Sequence, residues 1–296
     1  MAEKMVNIKT APEIFAMSWV DVLKHKGDPE IKILSLPKLT EKLWGLQRKK
    51  MLVIAGRTSQ AKTSLAMQVA KDVAKQGYRV YYFSLEESEE DLILRLFCNV
   101  AGISYSVLLY EPDKYEKQAQ EFSEFLKGFP LVIMYKLGVT VRELYQVIED
   151  LPRVDVVIVD YLQCIRKLDN DKVETINDYI VRFRELCVKK DICGILVSQI
   201  NREAMNEKER RPQIWQLKGS GAIEEHADQV LLTFWDYFYS NKEDRRYNFE
   251  VIIGKNKNGP TGKIRLLFYP EYYRFEEQVL DSQAKQAMKV FEGVEA

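Results

Sequence analysis

The 296-residue sequence lacks the features of membrane and secreted proteins. No apolar run approaches the length needed to span a bilayer, and the N-terminus has no basic segment followed by an apolar one. Paired cysteines are also lacking, because Cys98, Cys164, Cys187 and Cys193 form no CxxC motif and lie mostly in apolar surroundings. We therefore expect reduced core cysteines in a cytoplasmic protein.

A net charge is absent too, because 44 Lys and Arg residues balance 44 Asp and Glu residues. This balance gives no indication of a nucleic-acid partner, so any such surface has to be local. No internal repeat or low-complexity segment occurs. Apolar residues make up 46% of the chain and charged residues 30%, as in a folded globular protein, and the length allows one large α/β domain or a domain with an appendage.

The N-terminal residues differ from the rest of the chain. A helix is predicted to begin near Thr10, and its apolar residues recur at helical spacing (Phe15, Trp19, Val22 and Leu23). This apolar stripe either packs on its own domain or docks on a neighbouring subunit. We divide the chain into an N-terminal helix and linker (1–35), a main domain (36–278) and a C-terminal tail (279–296).

The main domain alternates strands and helices. Apolar strands before Asp160 and Ser198 predict a central parallel sheet, and the last three strands are expected to form antiparallel extensions. The predicted strands are Met51–Ala55, Arg79–Leu85, Leu131–Tyr135, Val154–Asp160, Cys193–Ser198, Gln229–Trp235, Phe249–Gly254 and Lys263–Phe268. The predicted helices are Ser64–Gln76, Ser88–Ala101, Asp113–Lys127, Val141–Leu151 and Val173–Lys190.

A polar loop follows the first of these strands. Residues 56–63 have the spacing of a Walker A phosphate loop, with Ala61 where the pattern has glycine. Loop N–H groups would face the phosphates of a nucleotide, Lys62 would reach the β and γ oxygens, and Thr63 would bind Mg²⁺. The alternative is a polar strand-to-helix turn that contains Lys-Thr by chance. The predicted nucleotide-binding residues are Gly56, Arg57, Thr58, Ser59, Gln60, Ala61, Lys62, Thr63 and Ser64.

Three more polar residues follow predicted strands, where parallel sheets gather their ligand groups. Glu86 is a candidate general base that polarises the attacking water, or alternatively part of an acidic first helical turn. Asp160 ends a buried strand as a Walker B aspartate does, which would hold Mg²⁺. Gln199 ends another buried strand, where its amide would bind the γ-phosphate or its water, unless it is a polar strand end without a role.

Four ordered segments resemble those of the DnaB family of replicative helicases. They are Asp160-Tyr161-Leu162-Gln163, Ser198-Gln199-Ile200-Asn201-Arg202, Gly219-Ser220-Gly221-Ala222-Ile223-Glu224 with Ala227-Asp228, and Ile252-Ile253-Gly254-Lys255-Asn256-Lys257-Asn258-Gly259-Pro260. The resemblance covers about Leu36 to Glu276 and implies an α/β, RecA-like P-loop fold with a mostly parallel central sheet, flanking helices and antiparallel C-terminal strands. The primase-interacting domain of full-length members is not matched, so phage-type or truncated members fit best.

The resemblance also implies a function. We expect an ATP-dependent DNA helicase that forms a ring, as a hexamer, and moves 5′–3′ on single-stranded DNA, with primase or a helicase loader as further partners. ATP and Mg²⁺ would lie between subunits. The implied roles are phosphate and Mg²⁺ binding for Lys62 and Thr63, catalytic glutamate for Glu86, Walker B acid for Asp160, sensor for Gln199, and contact with a neighbour's γ-phosphate for Lys255 and Lys257.

A segment that holds single-stranded DNA in the ring's channel is matched by Lys218, Gly219, Ser220 and Gly221. A basic side chain and backbone N–H groups there would follow phosphates without reading bases. Arg202 is also a candidate DNA contact. However, Glu203, Glu207 and Glu209 dilute the charge of Arg202, Arg210 and Arg211, which favours a solvated loop.

Three positions depart from the family pattern. Ala61 replaces a glycine, Lys257 replaces an arginine finger and so loses a forked hydrogen-bonding geometry, and Lys218-Gly219 replaces Arg-Glu. The departures at Ala61 and Lys257 favour an alternative, a degenerate relative that binds nucleotide or DNA, hydrolyses little and acts as a structural or regulatory replication factor. A second alternative is another RecA-like ATPase, of the circadian-clock or recombination type.

Overall fold

The computed structural model describes residues 10–25, 29–165, 176–200, 211–217 and 220–278. Its helices are α1 (Ala11–His25), α2 (Pro37–Leu43), α3 (Lys62–Ala74), α4 (Glu89–Ala101), α5 (Tyr105–Tyr110), α6 (Glu116–Leu126), α7 (Val141–Asp150), α8 (Ile176–Lys189), α9 (Ser220–His226) and α10 (Tyr237–Ser240). Its strands are β1 (Lys50–Gly56), β2 (Val80–Ser84), β3 (Leu131–Tyr135), β4 (Val156–Asp160), β5 (Cys193–Gln199), β6 (Gln229–Trp235), β7 (Asn248–Asn256), β8 (Gly262–Tyr269) and β9 (Arg274–Glu277).

The described strands form one nine-stranded sheet in the order β3-β2-β4-β5-β1-β6-β7-β8-β9. In this order, all neighbouring strands from β3 through β1 to β6 pair in parallel, whereas those from β6 to β9 pair antiparallel. The predicted α/β fold, with a mostly parallel sheet and antiparallel C-terminal strands, is therefore confirmed. The prediction was wrong in one respect, because Gln229–Trp235 pairs in parallel with β1 and the antiparallel extension consists of β7, β8 and the unpredicted β9.

The core lies on both faces of the sheet. Alternate residues of β1 point to opposite faces, so Leu52 and Ile54 pack against α2, α3 and α4, whereas Met51 and Val53 pack against α7, α8 and α9. Each fully buried aliphatic side chain of this kind stabilises the fold by roughly 1.5–3 kcal/mol. Two helical layers thus hold β1 in the middle of the sheet, where its carboxyl end is fixed.

The segment before α2 belongs to this core. Ile31 and Ile33 are fully buried, Ile31 forms a β-bridge with Leu46, and the Ser35 amide donates to the Asp72 carboxylate at 2.8 Å. The N-terminal helix α1 differs, because its described apolar side chains Ile14, Phe15, Met17, Trp19 and Val20 are exposed, Phe15 with 67% of its surface accessible, whereas the side chains of Val22 and Leu23 lie outside the description.

Two expectations from composition can be compared with the structure. Cys98, Cys187 and Cys193 are buried free thiols, and Cys164 is a half-buried one, as predicted. Within the described ranges, no helix combines the length and apolar character needed to cross a bilayer.

Candidate nucleotide site

The carboxyl ends of four neighbouring parallel strands meet at one edge of the sheet. Ser84 at the end of β2 lies beside Asp160 at the end of β4, and Gly56 at the end of β1 lies beside Gln199 at the end of β5. The order β2-β4-β5-β1 places these residues along a single edge. Parallel sheets bind ligands at such an edge, so the predicted polar residues converge where a nucleotide would be expected.

The phosphate loop joins β1 to α3 through two left-handed residues. Ser59 has φ 61°, and Ala61 has φ 50° and ψ 30° at the N-cap of α3. Glycine adopts this conformation readily, whereas for alanine the conformation is about 1–2 kcal/mol less favourable. The loop therefore keeps the shape that the Walker A spacing predicts, and Ala61 carries the backbone strain.

Lys62 and Thr63 begin α3 and face the sheet edge. The Lys62 ammonium donates to the Arg57 carbonyl at 2.8 Å, which holds the side chain across the loop. Burial lowers the pKa of Lys62, and the nearby carboxylates of Asp160 and Glu86 oppose this shift. A cation held in a partly desolvated loop is suited to binding phosphate oxygens.

Asp160 is buried at the end of β4, with 5% of its surface accessible. Tyr82 donates its hydroxyl to Asp160 Oδ2 at 2.5 Å, and the Thr63 hydroxyl also hydrogen-bonds this carboxylate. Burial raises the pKa of Asp160, while these two hydrogen bonds and the charge of Lys62 counteract the rise. The carboxylate is thus held beside the first turn of α3.

The Thr63 hydroxyl and the Asp160 carboxylate are hard oxygen donors that contact each other. Mg²⁺ prefers such donors, and it commonly takes one or two protein ligands and completes its shell with phosphates and water. Within the described ranges no cluster of three or more His, Cys, Asp or Glu side chains could hold a metal. The donor set therefore suits a Mg²⁺ ion that arrives with a nucleotide.

Glu86 lies exposed in the turn that follows β2. Its two neighbours fix this turn, because the Leu85 amide donates to the Asp160 carbonyl at 2.7 Å and the Glu87 amide donates to Ser84 Oγ at 3.2 Å. Glu87 also pairs with Arg95 of α4 at 2.5 Å. The carboxylate of Glu86 remains available to solvent at the sheet edge.

Gln199 contacts the phosphate loop directly. Its side-chain amide donates to Thr58 Oγ1 at 2.6 Å, and its backbone amide donates to Gln163 Oε1 at 3.0 Å. Gln163 in turn donates to Ser198 Oγ at 2.9 Å. A side chain that links the end of β5 to the loop is placed to respond to a bound phosphate.

The remaining loop residues divide by burial. Thr58 and Ser59 are exposed, whereas the Gln60 side chain is buried and accepts a hydrogen bond from the Trp235 amide at 2.6 Å. Gly56 packs so tightly that an added Cβ atom would lie 2.0 Å from Thr233 Oγ1. Gln60 and Gly56 therefore attach the loop to β6.

Lys255 and Lys257 lie toward the opposite edge of the sheet. Val230 pairs with both Val53 and Lys255, so Lys255 lies level with the middle of β1. The Lys257 amide donates to the Asp228 carbonyl at 2.9 Å, and the Asp228 amide donates to the Met51 carbonyl. Lys257 is thus about 17 Å along the strand direction from the end of β1, beyond the reach of a lysine side chain.

The predicted DNA-binding segment is described only in part. Arg202, Lys218 and Gly219 lie outside the described residues. Ser220 and Gly221 form the first turn of α9. Arg211, which was expected on a solvated loop, pairs with Glu250 through two hydrogen bonds of 2.7 and 3.1 Å.

Several residues of the site could not be recognised from the sequence. Tyr82 looks like an ordinary strand residue, yet its hydroxyl reaches Asp160 in the neighbouring strand. Arg95 has the spacing of a helix surface residue, yet it pairs with Glu87 and lies over the Tyr273 ring at 4.9 Å. Gln163 could have been recognised as a site residue, because it belongs to the Asp-Tyr-Leu-Gln segment that resembles the family. It accepts a hydrogen bond from the backbone amide of Gln199.

Comparisons with known proteins identify related chains. The model of the DnaB-like helicase C-terminal domain family matches residues 34–277. The chain is 25% identical over 283 residues to the replicative DNA helicase DnaB of Geobacillus stearothermophilus, covering 90% of this chain and 62% of that protein. It is 29% identical over 263 residues to the replicative DNA helicase DnaC of Bacillus subtilis strain 168, covering 85% and 57%. The chain thus spans about 60% of the length of these relatives.

Solved structures agree with the fold. A solved ATPase domain superposes with a TM-score of 0.80 at 23% identity, covering 92% of this chain and all of that domain. A DnaB-like replicative helicase, whose structure was described with its interactions with primase, gives a TM-score of 0.79 at 22% identity, covering 92% of this chain and 68% of the other. Since the family model spans most of the chain, the protein belongs to the DnaB-like helicase C-terminal domain family.

Proposed function

We propose that this protein is the motor of a ring-forming, ATP-dependent replicative DNA helicase that moves 5′–3′ on single-stranded DNA and separates duplex DNA. One observation carries the proposal. Lys62, Thr63, Asp160 and Gln199 gather at the carboxyl edge of the sheet, whereas Lys255 and Lys257 lie toward the other edge. A complete site then needs two copies of the chain, as in a head-to-tail ring.

Within one subunit, the proposed chemistry is hydrolysis of the β–γ phosphoanhydride bond of ATP. Loop N–H groups and Lys62 bind the phosphates, and Thr63 and Asp160 would hold Mg²⁺, which neutralises phosphate charge when bound. Glu86 accepts a proton from water as the water oxygen bonds to the γ-phosphorus. The bond to the bridging oxygen breaks, leaving ADP and inorganic phosphate. Gln199 links the γ-phosphate to the segment that follows β5.

A neighbouring subunit supplies the remaining charge in this proposal. Lys255 and Lys257 would approach the γ-phosphate bound on the adjacent copy and stabilise the charge that develops there. The segment around Lys218, Gly219, Ser220 and Gly221, with Arg202, would hold the DNA backbone and shift with each hydrolysis step. A hexamer, a primase or loader partner and a cytoplasmic location complete the proposal.

The test is ATP hydrolysis with and without single-stranded DNA, for the wild type and for Glu86→Gln. Glutamine keeps the shape of the side chain but cannot accept the proton, so we expect a loss of about 10²–10⁴-fold in kcat. Glu90→Gln serves as the matched control, because Glu90 is an exposed carboxylate in the adjacent helical turn. Equal rates for wild type and Glu86→Gln, with no response to DNA, would exclude the motor.

A second candidate function is a nucleotide- or DNA-binding replication factor that hydrolyses little. The strained backbone of Ala61 and the lysine at position 257 favour it. On this alternative, nucleotide binding persists while hydrolysis stays at the Glu86→Gln level. The same assay, run beside a titration with a fluorescent ADP analogue, separates the two functions.

A further inference from the structure

Asp228 is a buried carboxylate surrounded by cations. Its side chain is 4% accessible, and Arg184 Nε lies 3.1 Å from Oδ2. Lys257 Nζ and Lys50 Nζ lie 3.5 and 3.6 Å from Oδ1. The Met51 amide donates to Oδ2 at 2.9 Å. One negative charge thus faces three positive charges.

The Arg184 guanidinium is only partly used by Asp228. Its Nη1 atom is buried and has no hydrogen-bond partner among the described residues. A guanidinium offers five donors in a planar fork, and leaving a buried donor unpaired is unfavourable. The side chain as a whole is 22% accessible, so an acceptor from outside the chain can reach the accessible part of the side chain, although Nη1 itself is buried.

Arg184 and Lys257 face the same shallow hollow on the surface, between α8 and the end of α9. Lys50, the third partner of Asp228, does not line this hollow. Lys189 at the rim pairs with Glu149, and the exposed carboxylates Glu185 and Glu225 also line the hollow. Arg184 and Lys257 are therefore the two cations of the Asp228 cluster that line the hollow.

Lys255 is less free than Lys257 to move toward an anion. Its ammonium donates to the carbonyls of Glu224 and Glu225 at the end of α9. Burial lowers the pKa of Lys255, and the charge of Lys257 lowers it further. Arg184 and Lys257 are the cations that the hollow presents.

We propose that Arg184 is a catalytic residue of the nucleotide site of a neighbouring copy, where its guanidinium and Lys257 together bind the γ-phosphate of a nucleoside triphosphate. Lys257 supplies charge without a fork, and Arg184 supplies the fork from the adjacent helix. Asp228 positions both side chains. As the bond from the γ-phosphorus to the bridging oxygen breaks, the two cations stabilise the charge on the phosphoryl oxygens. This inference rests on the proposed function.

The first test moves the guanidinium between the two positions. Arg184→Lys keeps the charge on Asp228 but removes the fork, so we expect kcat for DNA-stimulated ATP hydrolysis to fall about tenfold or more, with little change in KM. Arg184→Lys combined with Lys257→Arg returns one guanidinium to the hollow and should restore kcat to within about threefold of wild type. Lys189→Gln, which removes a cation of the hollow that pairs with Glu149 and not with Asp228, is the control and should leave kcat unchanged.

The second test asks whether Arg184 acts between subunits. Arg184→Gln and Glu86→Gln proteins are each expected to be inactive, and mixing them in equal amounts makes about a quarter of the head-to-tail interfaces complete. Activity should therefore reappear on mixing. Native mass spectrometry confirms that both variants assemble, so a folding defect is recognised.

The outcomes separate the inference from the proposed function. Loss of hydrolysis in Glu86→Gln with wild-type kcat in Arg184→Lys would overturn the role of Arg184 alone. No recovery on mixing, or no recovery in the exchanged double variant, would also overturn it. A wild type that is no faster than Glu86→Gln would instead remove the motor on which the inference rests.

Discussion

At the residue scale, Ala61 closes the phosphate loop in a left-handed conformation that few side chains adopt. The loop is nevertheless held from several sides, because Gln60 binds the Trp235 amide and Gln199 binds Thr58. These contacts keep a strained residue at the point where phosphates would lie. Strain of this kind persists only where the surroundings determine the backbone.

Replacing Ala61 by glycine should relieve this strain. We expect Ala61→Gly to raise the free energy of unfolding by about 1 kcal/mol, after allowing for the greater freedom of glycine in the unfolded chain, and to strengthen nucleotide binding. Urea denaturation and titration with a fluorescent ADP analogue measure the two effects. Ala66→Gly is the matched control, because the same change inside α3 should cost about 1 kcal/mol or more. A destabilised Ala61→Gly would contradict the assignment of strain.

The chemistry of individual residues could be predicted where a motif fixes their spacing. The contact between Thr63 and Asp160 follows from two motifs at the ends of parallel strands. Tyr82 and Arg184 could not be found in this way, because their partners are distant in sequence and depend on strand register and helix rotation. The distance of Lys257 from the phosphate loop of its own subunit could not be predicted either, because it depends on the pairing of β6 with β1 and β7.

At the element scale, the long apolar strands were predicted closely and the short polar ones were not. The bounds of β3 and β6 agree with the sequence prediction to the residue. β9 was missed because Arg274–Glu277 has four residues, three of them charged, and becomes a strand only by pairing with β8. The parallel direction of β6 could not be inferred from its composition, since apolar strands of either direction look alike when both faces are buried.

Helices α3 and α4 are joined by a buried polar network behind the phosphate loop. Lys71 of α3 donates to Asn99 Oδ1 of α4, and Asn99 donates to the Tyr273 carbonyl at 2.9 Å. Gln68 donates to the Phe275 carbonyl at 2.7 Å. The helix that begins with Lys62 is therefore tied to β9 and to the turn that precedes it.

This network predicts a dependence of stability on pH. Burial lowers the pKa of Lys71 to about 8, below its ordinary value of 10.5. Below about pH 8 the folded and unfolded states both carry the charge, so the cost of burying it is fully present. Between about pH 8 and 10.5 the folded state releases the proton first, and the free energy of unfolding rises with pH.

The wild type should therefore gain on the order of 1 kcal/mol relative to Lys71→Met between pH 7 and pH 9, since one pKa unit corresponds to about 1.4 kcal/mol. Urea denaturation of both proteins at the two pH values measures this gain. The variant removes the titrating group, so effects of other residues cancel in the difference. A difference that does not change with pH would show that Lys71 stays charged in the folded state.

At the scale of the whole molecule, helix α1 presents exposed apolar side chains. Ile14, Phe15, Trp19 and Val20 are each at least half exposed, and the rings of Phe15 and Trp19 stack at 6.2 Å. Contiguous exposed apolar residues commonly mark interaction surfaces. We propose that α1 docks on an adjacent copy of the chain.

Removing residues 1–28 should weaken assembly without unfolding the domain. The cut leaves Ile31 and Ile33 in the core, whereas a cut at Leu36 would remove both. Native mass spectrometry should show smaller species at a given concentration, and thermal unfolding should stay near that of the wild type. Lys24→Glu changes the charge of α1 while leaving its apolar residues in place, and should assemble normally. An unchanged oligomer after truncation would refute docking through α1.

Strand β6 has ends that serve two different nucleotide sites in the proposed ring. At its carboxyl end, the Trp235 amide binds Gln60 of the phosphate loop in its own subunit. At its amino end it follows Asp228, which holds the cations that would act on the neighbour's nucleotide. The seven residues of extended chain in β6 span about 20 Å. In each subunit, this one buried strand would therefore connect the nucleotide site formed by its own phosphate loop to the cations that act on the neighbour's nucleotide. Around the ring, these strands would link every nucleotide site to the next.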